Sequence, residues 1–320
     1  MSTLIIEDFY FRVAKEPLKK PYKLSFGTIN YFDIINLYVK ISGNTFRGEV
    51  VPLPGYKSEN IESIIGFYKN QKRNILGQKI LVAREKIKNE SIENQFAKSA
   101  VLSAIDLALN KDFFSSNYSH SQIDFVTPIS LETKIQKHQL NKTIKIKLTG
   151  DPNFDCESLD AFYLMNKNLQ NQTRLDANQA YSLKQAEQVL SYISNAIWRE
   201  NVAYLEQPLI STNWLGTQEL VNSFPAVPLT LDESVITEND IRKCKEINIP
   251  FVKFKLYKQG GIQELESHIK LANKLGLKIV LGNGVATTLT NKIENHLYKK
   301  YKHMIFGASE ANGFLKIQQN

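Results

Sequence analysis

Hydrophobic and polar positions change rhythm near residue 120. Before it, Leu4-Ile-Ile-Glu-Asp-Phe-Tyr-Phe-Arg-Val and Ile34-Ile-Asn-Leu-Tyr-Val-Lys-Ile alternate over 4–14 and 34–42 as half-buried strands do. Lys23-Leu-Ser-Phe-Gly-Thr28 between them reads as a polar loop, and Val51-Pro-Leu-Pro-Gly-Tyr56 forces another. Helical spacing follows from Ile61, and again from Ser91 to Leu109. There Phe96, Ala100, Ala104 and Ala108 recur every four residues, small enough for close helix packing. Residues 1–115 therefore predict an α+β unit, on which the C-terminal tail could also pack.

From about 120 short apolar runs alternate with helical stretches. The runs are 124–130, 142–148, 173–177, 202–206, 227–232, 251–255 and 278–281, with an eighth near His303-Met-Ile-Phe306. Helical patterns cover Ser182 to Trp198, Asn213 to Ser223, Ile262 to Leu275 and Leu289 to Tyr301. Alternating β and α elements predict a parallel sheet closed into a (β/α) barrel of the TIM type over 116–320.

Five of these runs carry a charged residue at their last or next-to-last position. Lys147 stands at the end of the second, one residue before Leu148, and Asp176 follows 29 positions later, Glu206 after a further 30, Asp232 after 26 and Lys255 after 23. Each interval suits a strand of ~5 residues, a helix of ~11 and their connections. A lone strand-end aspartate is as readily a helix cap. A series of five reads instead as one site, because such barrels gather their chemistry at the C-terminal ends of successive strands.

Three converging carboxylates repel unless a cation lies between them, and all-oxygen ligation suits Mg²⁺. Asp176, Glu206 and Asp232 are the expected ligands of one such ion per chain, with Mn²⁺ able to substitute. The five histidines have no zinc-like spacing. Lys147 and Lys255, on strands opposite each other in an eight-membered ring, would stand on two faces of a substrate. Lys145 and the metal would depress the Lys147 pKa and fit it for general-base work.

The length of 320 residues accommodates a barrel of ~250 residues and a smaller domain. No apolar run approaches the ~18 residues of a membrane span. The start lacks the basic and long apolar regions of a signal peptide, so a cytoplasmic protein is expected. The net charge of +8 raises nucleic-acid binding, but Lys19-Lys20 and Lys299-Lys300-Tyr-Lys302 are short clusters and form no basic stripe. Cys156 and Cys244 form no CxxC pair and read as reduced structural thiols.

With these residues in place, the sequence resembles the enolase superfamily, in particular its muconate-lactonizing-enzyme subgroup. Lys145-Ile-Lys147 resembles the subgroup's KxK motif, with the second lysine catalytic. Asp176, Glu206 and Asp232 fall on its metal ligands, and Lys255 in Lys255-Leu-Tyr-Lys-Gln-Gly-Gly261 falls on its sixth-strand lysine. The resemblance implies a modified, enolase-like barrel behind a capping domain. It implies Mg²⁺-dependent removal of the proton α to a substrate carboxylate, through an enediolate. Lys145, Asn178 and Glu233 are supporting residues. Phe26, Tyr56, Ser130, Asn283 and Glu310 are expected to meet substrate, Phe26 and Tyr56 from cap loops 24–28 and 53–56. Return of the proton to the opposite face would make the protein an epimerase or racemase of a dipeptide or N-acylamino acid. The other outcomes are dehydration of the o-succinylbenzoate-synthase kind, muconate-type cycloisomerisation, or an inactive binding protein on the same fold. The subgroup's dipeptide epimerases carry a DxD motif after strand eight; here Ala308-Ser-Glu-Ala-Asn-Gly-Phe314 offers only Glu310. A small carboxylate and further copies of the chain are the expected partners; nucleic acid and membrane are not.

Overall fold

The computed structural model describes residues 4–24, 27–52, 59–115, 123–136, 142–169, 172–282 and 286–318. The chain begins with a three-stranded antiparallel sheet, β1 (Ile6–Leu24), β2 (Gly27–Ile41) and β3 (Asn44–Val50), in that order. Three helices follow: α1 (Ile61–Ile75), α2 (Ile80–Lys88) and α3 (Gln95–Leu109). Alternation in β2 puts Ile35, Leu37, Val39 and Ile41 on one buried face, which shares a core with Phe96, Ala97, Ala100 and Ala104 of α3. The small residues of α3 bring its backbone against the sheet. A Cβ on Gly48 of β3 would lie 1.9 Å from the Ala100 carbonyl oxygen, so only glycine permits this approach.

The expected polar loop at 23–28 is mostly strand. β1 and β2 continue as a ribbon whose register pairs Tyr22 with Ile29 and Leu24 with Gly27. Backbone pairing needs no apolar face, so hydropathy did not report it. Pro17 and Pro21 lack the donor N–H of a regular ladder, and the register shifts between Pro17 and Tyr22.

Seven parallel strands form the second sheet: β4 (Thr127–Ile129), β5 (Ile144–Lys147), β6 (Thr173–Asp176), β7 (Val202–Glu206), β8 (Leu229–Leu231), β9 (Phe251–Phe254) and β10 (Lys278–Leu281). Among the described residues no helix separates β4 from β5. Around the sheet lie α4 (Pro152–Met165), α5 (Leu183–Asn195), α6 (Trp214–Ser223), α7 (Glu238–Glu246), α8 (Leu256–Gln259), α9 (Ile262–Lys274) and α10 (Thr288–Lys300). The strand expected at 303–306 is instead an irregular segment displaced toward 305–310. It bridges Ile305 to Ile279 on one side and Ser309 to Phe125 on the other. Phe306 N–H donates to the Ile279 carbonyl (2.7 Å) and Val126 N–H to that of Ser309 (2.9 Å), which closes the ring. The fold is thus a modified (β/α) barrel behind an α+β cap.

Hydropathy did not point to α4 and α7, but their caps were readable. Asp151 accepts from the N–H groups of Asn153 and Phe154, with Pro152 opening α4. Thr237 and Asp240 form a capping box at α7, which buries only Ile241 and Cys244. No described helix is long and apolar enough to cross a membrane.

Cap and barrel meet along α3. Gln95 donates to the Lys258 carbonyl (2.9 Å), and Ser99 to that of Leu256 (3.2 Å). Phe96 meets Tyr257 edge to face at 4.3 Å. Arg84 of α2 pairs with Asp106 of α3 (2.6 Å) and Glu264 of α9 (2.7 Å). Near the chain's end, Ile317 bridges Leu18 of β1.

Candidate active site

Lys147, Asp176 and Glu206 are the last residues of β5, β6 and β7; Asp232 and Lys255 directly follow β8 and β9. Parallel register sets Lys147 beside Asp176 and Asp176 beside Glu206. The two-residue strand period sends Lys145 and Lys147 to one face, as it does Lys253 and Lys255. Two residues before Glu206 and Lys253 along their strands, Tyr204 and Phe251 pack with Val280 and Phe306 into an apolar plug beneath the site.

The carboxylates close on ammonium groups. Lys145 Nζ lies 2.8 Å from Asp176, 3.0 Å from Glu206 and 3.2 Å from Glu310. Lys253 Nζ lies 2.7 Å from both Glu206 and Glu310 and 3.9 Å from Asp232. Asp232 also meets Lys255 at 2.5 Å and Lys258 at 2.9 Å. Arg174, fully buried, reaches Glu310 (2.9 Å) and the carbonyls of Phe306 (3.2 Å) and Ala308 (3.0 Å). Sequence reasoning missed Lys253, Lys258 and Arg174. The parity of Lys253 with Lys255, and of Arg174 with Asp176, was the available signal. Gly282 admits Lys253, because a Cβ there would lie 2.3 Å from its Cε.

Lys147 is exposed and donates to Asn178 Oδ1 (2.9 Å). Asn178 Nδ2 lies 3.5 Å from Glu233 Oε1, so Asn178 stands between the lysine and that acid. Asn178 and Gln179 adopt positive φ angles of 45° and 65°, a conformation asparagine tolerates better than most residues. Buried Gln207 accepts from the N–H groups of Asp232 (3.0 Å) and Ser234 (3.2 Å), and so fixes the turn that carries Asp232. Of the expected substrate contacts, Ser130 is exposed just past β4 and bonds Thr133. Glu310 is buried among Arg174, Lys145 and Lys253. Phe26, Tyr56 and Asn283 lie outside the described residues, as do their loops in part.

Burial alone would lower the Lys145 pKa; Asp176, Glu206 and Glu310 outweigh it and hold the ammonium well above its usual range. Burial likewise opposes ionisation of Asp232 and Glu310. The lysines around Asp232, and the lysines with Arg174 around Glu310, hold both well below the usual range. Burial and the adjacent Asp176 push Glu206 upward.

Glu294 of α10 differs from these. Fully buried, it accepts from Leu256 N–H (3.0 Å) and Asn291 Nδ2 (3.1 Å), and burial pushes it up to about 7 from an ordinary 4.5. Below about pH 4.5 the carboxyl is protonated whether folded or not. Between 4.5 and 7 the unfolded chain ionises first, so stability falls as pH rises, and it levels off above 7. The loss should approach about 3 kcal/mol. Urea midpoints at pH 5 and pH 8 should therefore converge more closely in Glu294→Gln than in wild type. Parallel pH dependences would dismiss this account.

Among the described residues no three acidic, His or Cys side chains stand in metal-ligand geometry. The donor chemistry nevertheless fits a hard divalent ion. Asp176 and Glu206 already share one cation, Lys145, and Glu206 and Asp232 surround a second, Lys253. Asp232 Oδ2 has no well-formed hydrogen bond despite its ion pairs.

A sequence model described as enolase C-terminal domain-like matches residues 131–311. The chain belongs to this enolase-like family. It is 26% identical over 311 residues to an L-Ala-D/L-Glu epimerase of Clostridium acetobutylicum, covering 87% of this chain and 82% of that one. It is 25% identical over 257 residues to an o-succinylbenzoate synthase of Aliivibrio fischeri, covering 77% and 72%. A dipeptide epimerase from Enterococcus faecalis, solved with Mg and L-Leu-L-Tyr, superposes with a TM-score of 0.83 at 20% identity, covering 98% of this chain and 92% of that one. In this last case the likeness concerns the fold.

Proposed function

We propose that the protein is an isomerase that removes the proton α to a substrate carboxylate and returns it to the opposite face. The observation that carries this reading is the placement of two lysines about the acids. Lys147 ends β5 and Lys255 follows β9, with β6, β7 and β8 and their carboxylates between them. A substrate held over Asp176, Glu206 and Asp232 would present one face to each amine. Lys147, steadied by Asn178, takes or gives the proton on one side; Lys255 serves the other. Asp176, Glu206 and Asp232 would hold Mg²⁺. Bound there, the ion would supply positive charge to offset the charge that develops on the substrate carboxylate. Lys145 and Lys253 neutralise the acids from below.

The substrate proposed is an N-acylamino acid or a dipeptide. The three cations around Glu310 favour the former, because they leave that acid little pull on a substrate ammonium group. The names of relatives on both sides of the family keep dehydration of the o-succinylbenzoate type as the second reading.

The test is solvent exchange. Dipeptides, N-acylamino acids and the o-succinylbenzoate precursor are incubated with protein and Mg²⁺ in D₂O and followed by NMR, each enantiomer separately. Deuterium at the α-carbon with appearance of the opposite enantiomer supports the proposal. Dehydrated product without inversion transfers it to the second reading, and no exchange with any compound defeats both. A metal prediction goes with it. Mg²⁺ at a hundredfold its dissociation constant should stabilise the wild type by about 2.7 kcal/mol. Asp232→Asn should lose most of that gain in a thermal melt. An equal gain in both proteins would remove Asp232 from the ligand set.

A further inference from the structure

Lys255 stands on a turn that other elements hold. Its N–H donates to Gln259 Oε1 (2.8 Å), and Gln259 Nε2 reaches the Val235 carbonyl (3.0 Å). The next N–H, of Leu256, donates to Glu294 Oε1 (3.0 Å). The lysine thus leaves the strand between two side-chain acceptors, one local and one from α10.

The second acceptor is tied to the cap. Thr290, one turn before Glu294, gives its N–H to Glu49 of β3 (2.7 Å). Asn291 donates through Nδ2 to Glu294 Oε2 (3.1 Å) and accepts through Oδ1 from Phe314 N–H (2.9 Å). Phe314 lies in the turn Gly313–Lys316 that leads to Ile317, which bridges Leu18 of β1. Two routes therefore run from the cap to Glu294, through β3 and through the C-terminal turn. Glu294 also departs from the pattern of the site. The acids at the strand ends meet ammonium groups, whereas among the described residues Glu294 is buried with hydrogen bonds from an amide and a side-chain carboxamide. The charged groups that face it are Lys255 from the β9 turn and Glu49 from the cap, and the Glu49 charge opposes its own.

We propose that Glu294 is a positioning residue for Lys255, one that fixes the lysine's turn and transmits to it the seating of the cap. It touches neither substrate nor reacting atoms. Its effect is confined to one face of the site, because Lys147 is carried on β5 and held by Asn178. The inference rests on the proposed two-lysine reaction.

Two substitutions separate acceptor from charge. Glu294→Gln retains a carbonyl oxygen for Leu256 N–H; Glu294→Leu removes it. With a substrate that the wild type exchanges, Glu294→Leu should lose at least a hundredfold in α-deuteration of the enantiomer served by Lys255. Exchange on the Lys147 side should stay within about threefold, and Glu294→Gln should restore most of the loss. Amide exchange measured by mass spectrometry over residues 251–262 gives a readout free of catalysis. Protection there should fall in the leucine variant and persist in the glutamine variant. Equal losses on both faces, or unchanged protection in the leucine variant, would overturn the proposal. If no substrate exchanges in wild type yet protection follows the expected order, the two-lysine reaction fails while the positioning role survives. If glutamine behaves as leucine does in both readouts, the acceptor role is wrong. Should the leucine variant not fold, Glu294→Gln with Asn291→Ala tests the same link through the same protection measurement, and unchanged protection overturns it.

Discussion

Lys147→Ala should abolish racemisation in both directions and lower α-proton exchange of one enantiomer by about a thousandfold, within the usual range for removing a general acid or base. The other enantiomer, whose proton faces Lys255, should still exchange with D₂O. The asymmetry follows from geometry, since β5 and β9 lie apart with three strands between them. The fold should not change. Lys147 is exposed and its described bond is to Asn178 alone, so its loss belongs with surface substitutions within about 0.5 kcal/mol. NMR with each enantiomer, together with a urea melt, checks both halves. Near-full racemisation by the alanine variant would remove Lys147 from the mechanism.

Arg174→Met should have the largest effect on stability. The guanidinium is fully buried and ties β6 to Glu310 and to the carbonyls of Phe306 and Ala308. Methionine fills some of the volume but leaves Glu310 with less positive charge and the Phe306 and Ala308 carbonyls, the second of them in a buried bond, without their guanidinium donor. Breaking a buried ion pair from one side costs about 3–5 kcal/mol. The closing segment depends on this anchor because isolated bridges, rather than a continuous ladder, attach it to its neighbours. Amide exchange should accelerate first at 305–310. A urea-derived loss under about 1 kcal/mol would mean that the segment is held by other contacts.

The five strand-end residues were legible because a parallel barrel repeats one spacing and puts its functional groups at one end of each repeat. Glu206 could be placed from Tyr204-Leu-Glu206 alone, since the strand ends where the charge appears. The buried cations were harder to find. Lys253 and Arg174 lie inside runs otherwise read as strand, where hydropathy counts a lysine or arginine as a mark against burial. Only their parity with Lys255 and Asp176 marked them as inward. Glu294 had no local signal, because its partner Leu256 is 38 residues away and contributes only a backbone N–H. The far end of the β1–β2 ribbon, at 23–28, was read as a loop for a related reason: a ladder of backbone bonds leaves little trace in side-chain polarity. The eighth strand was misplaced because its anchor is a guanidinium on a distant strand.

The contact of α3 with the turn after Lys255 bears on how this architecture can be recombined. Gln95 and Ser99 supply donors to the carbonyls of Lys258 and Leu256, so the helix is part of the wall that bounds the lysine. A barrel severed after α3 would keep every strand-end residue and still lose the support of its sixth strand's exit. The natural seam for exchange is therefore ahead of α3, between the ribbon and the helices. Any ribbon grafted there must bring a glycine opposite Ala100, because that is where two backbones touch. Variation in the cap is free upstream of this joint and constrained at it.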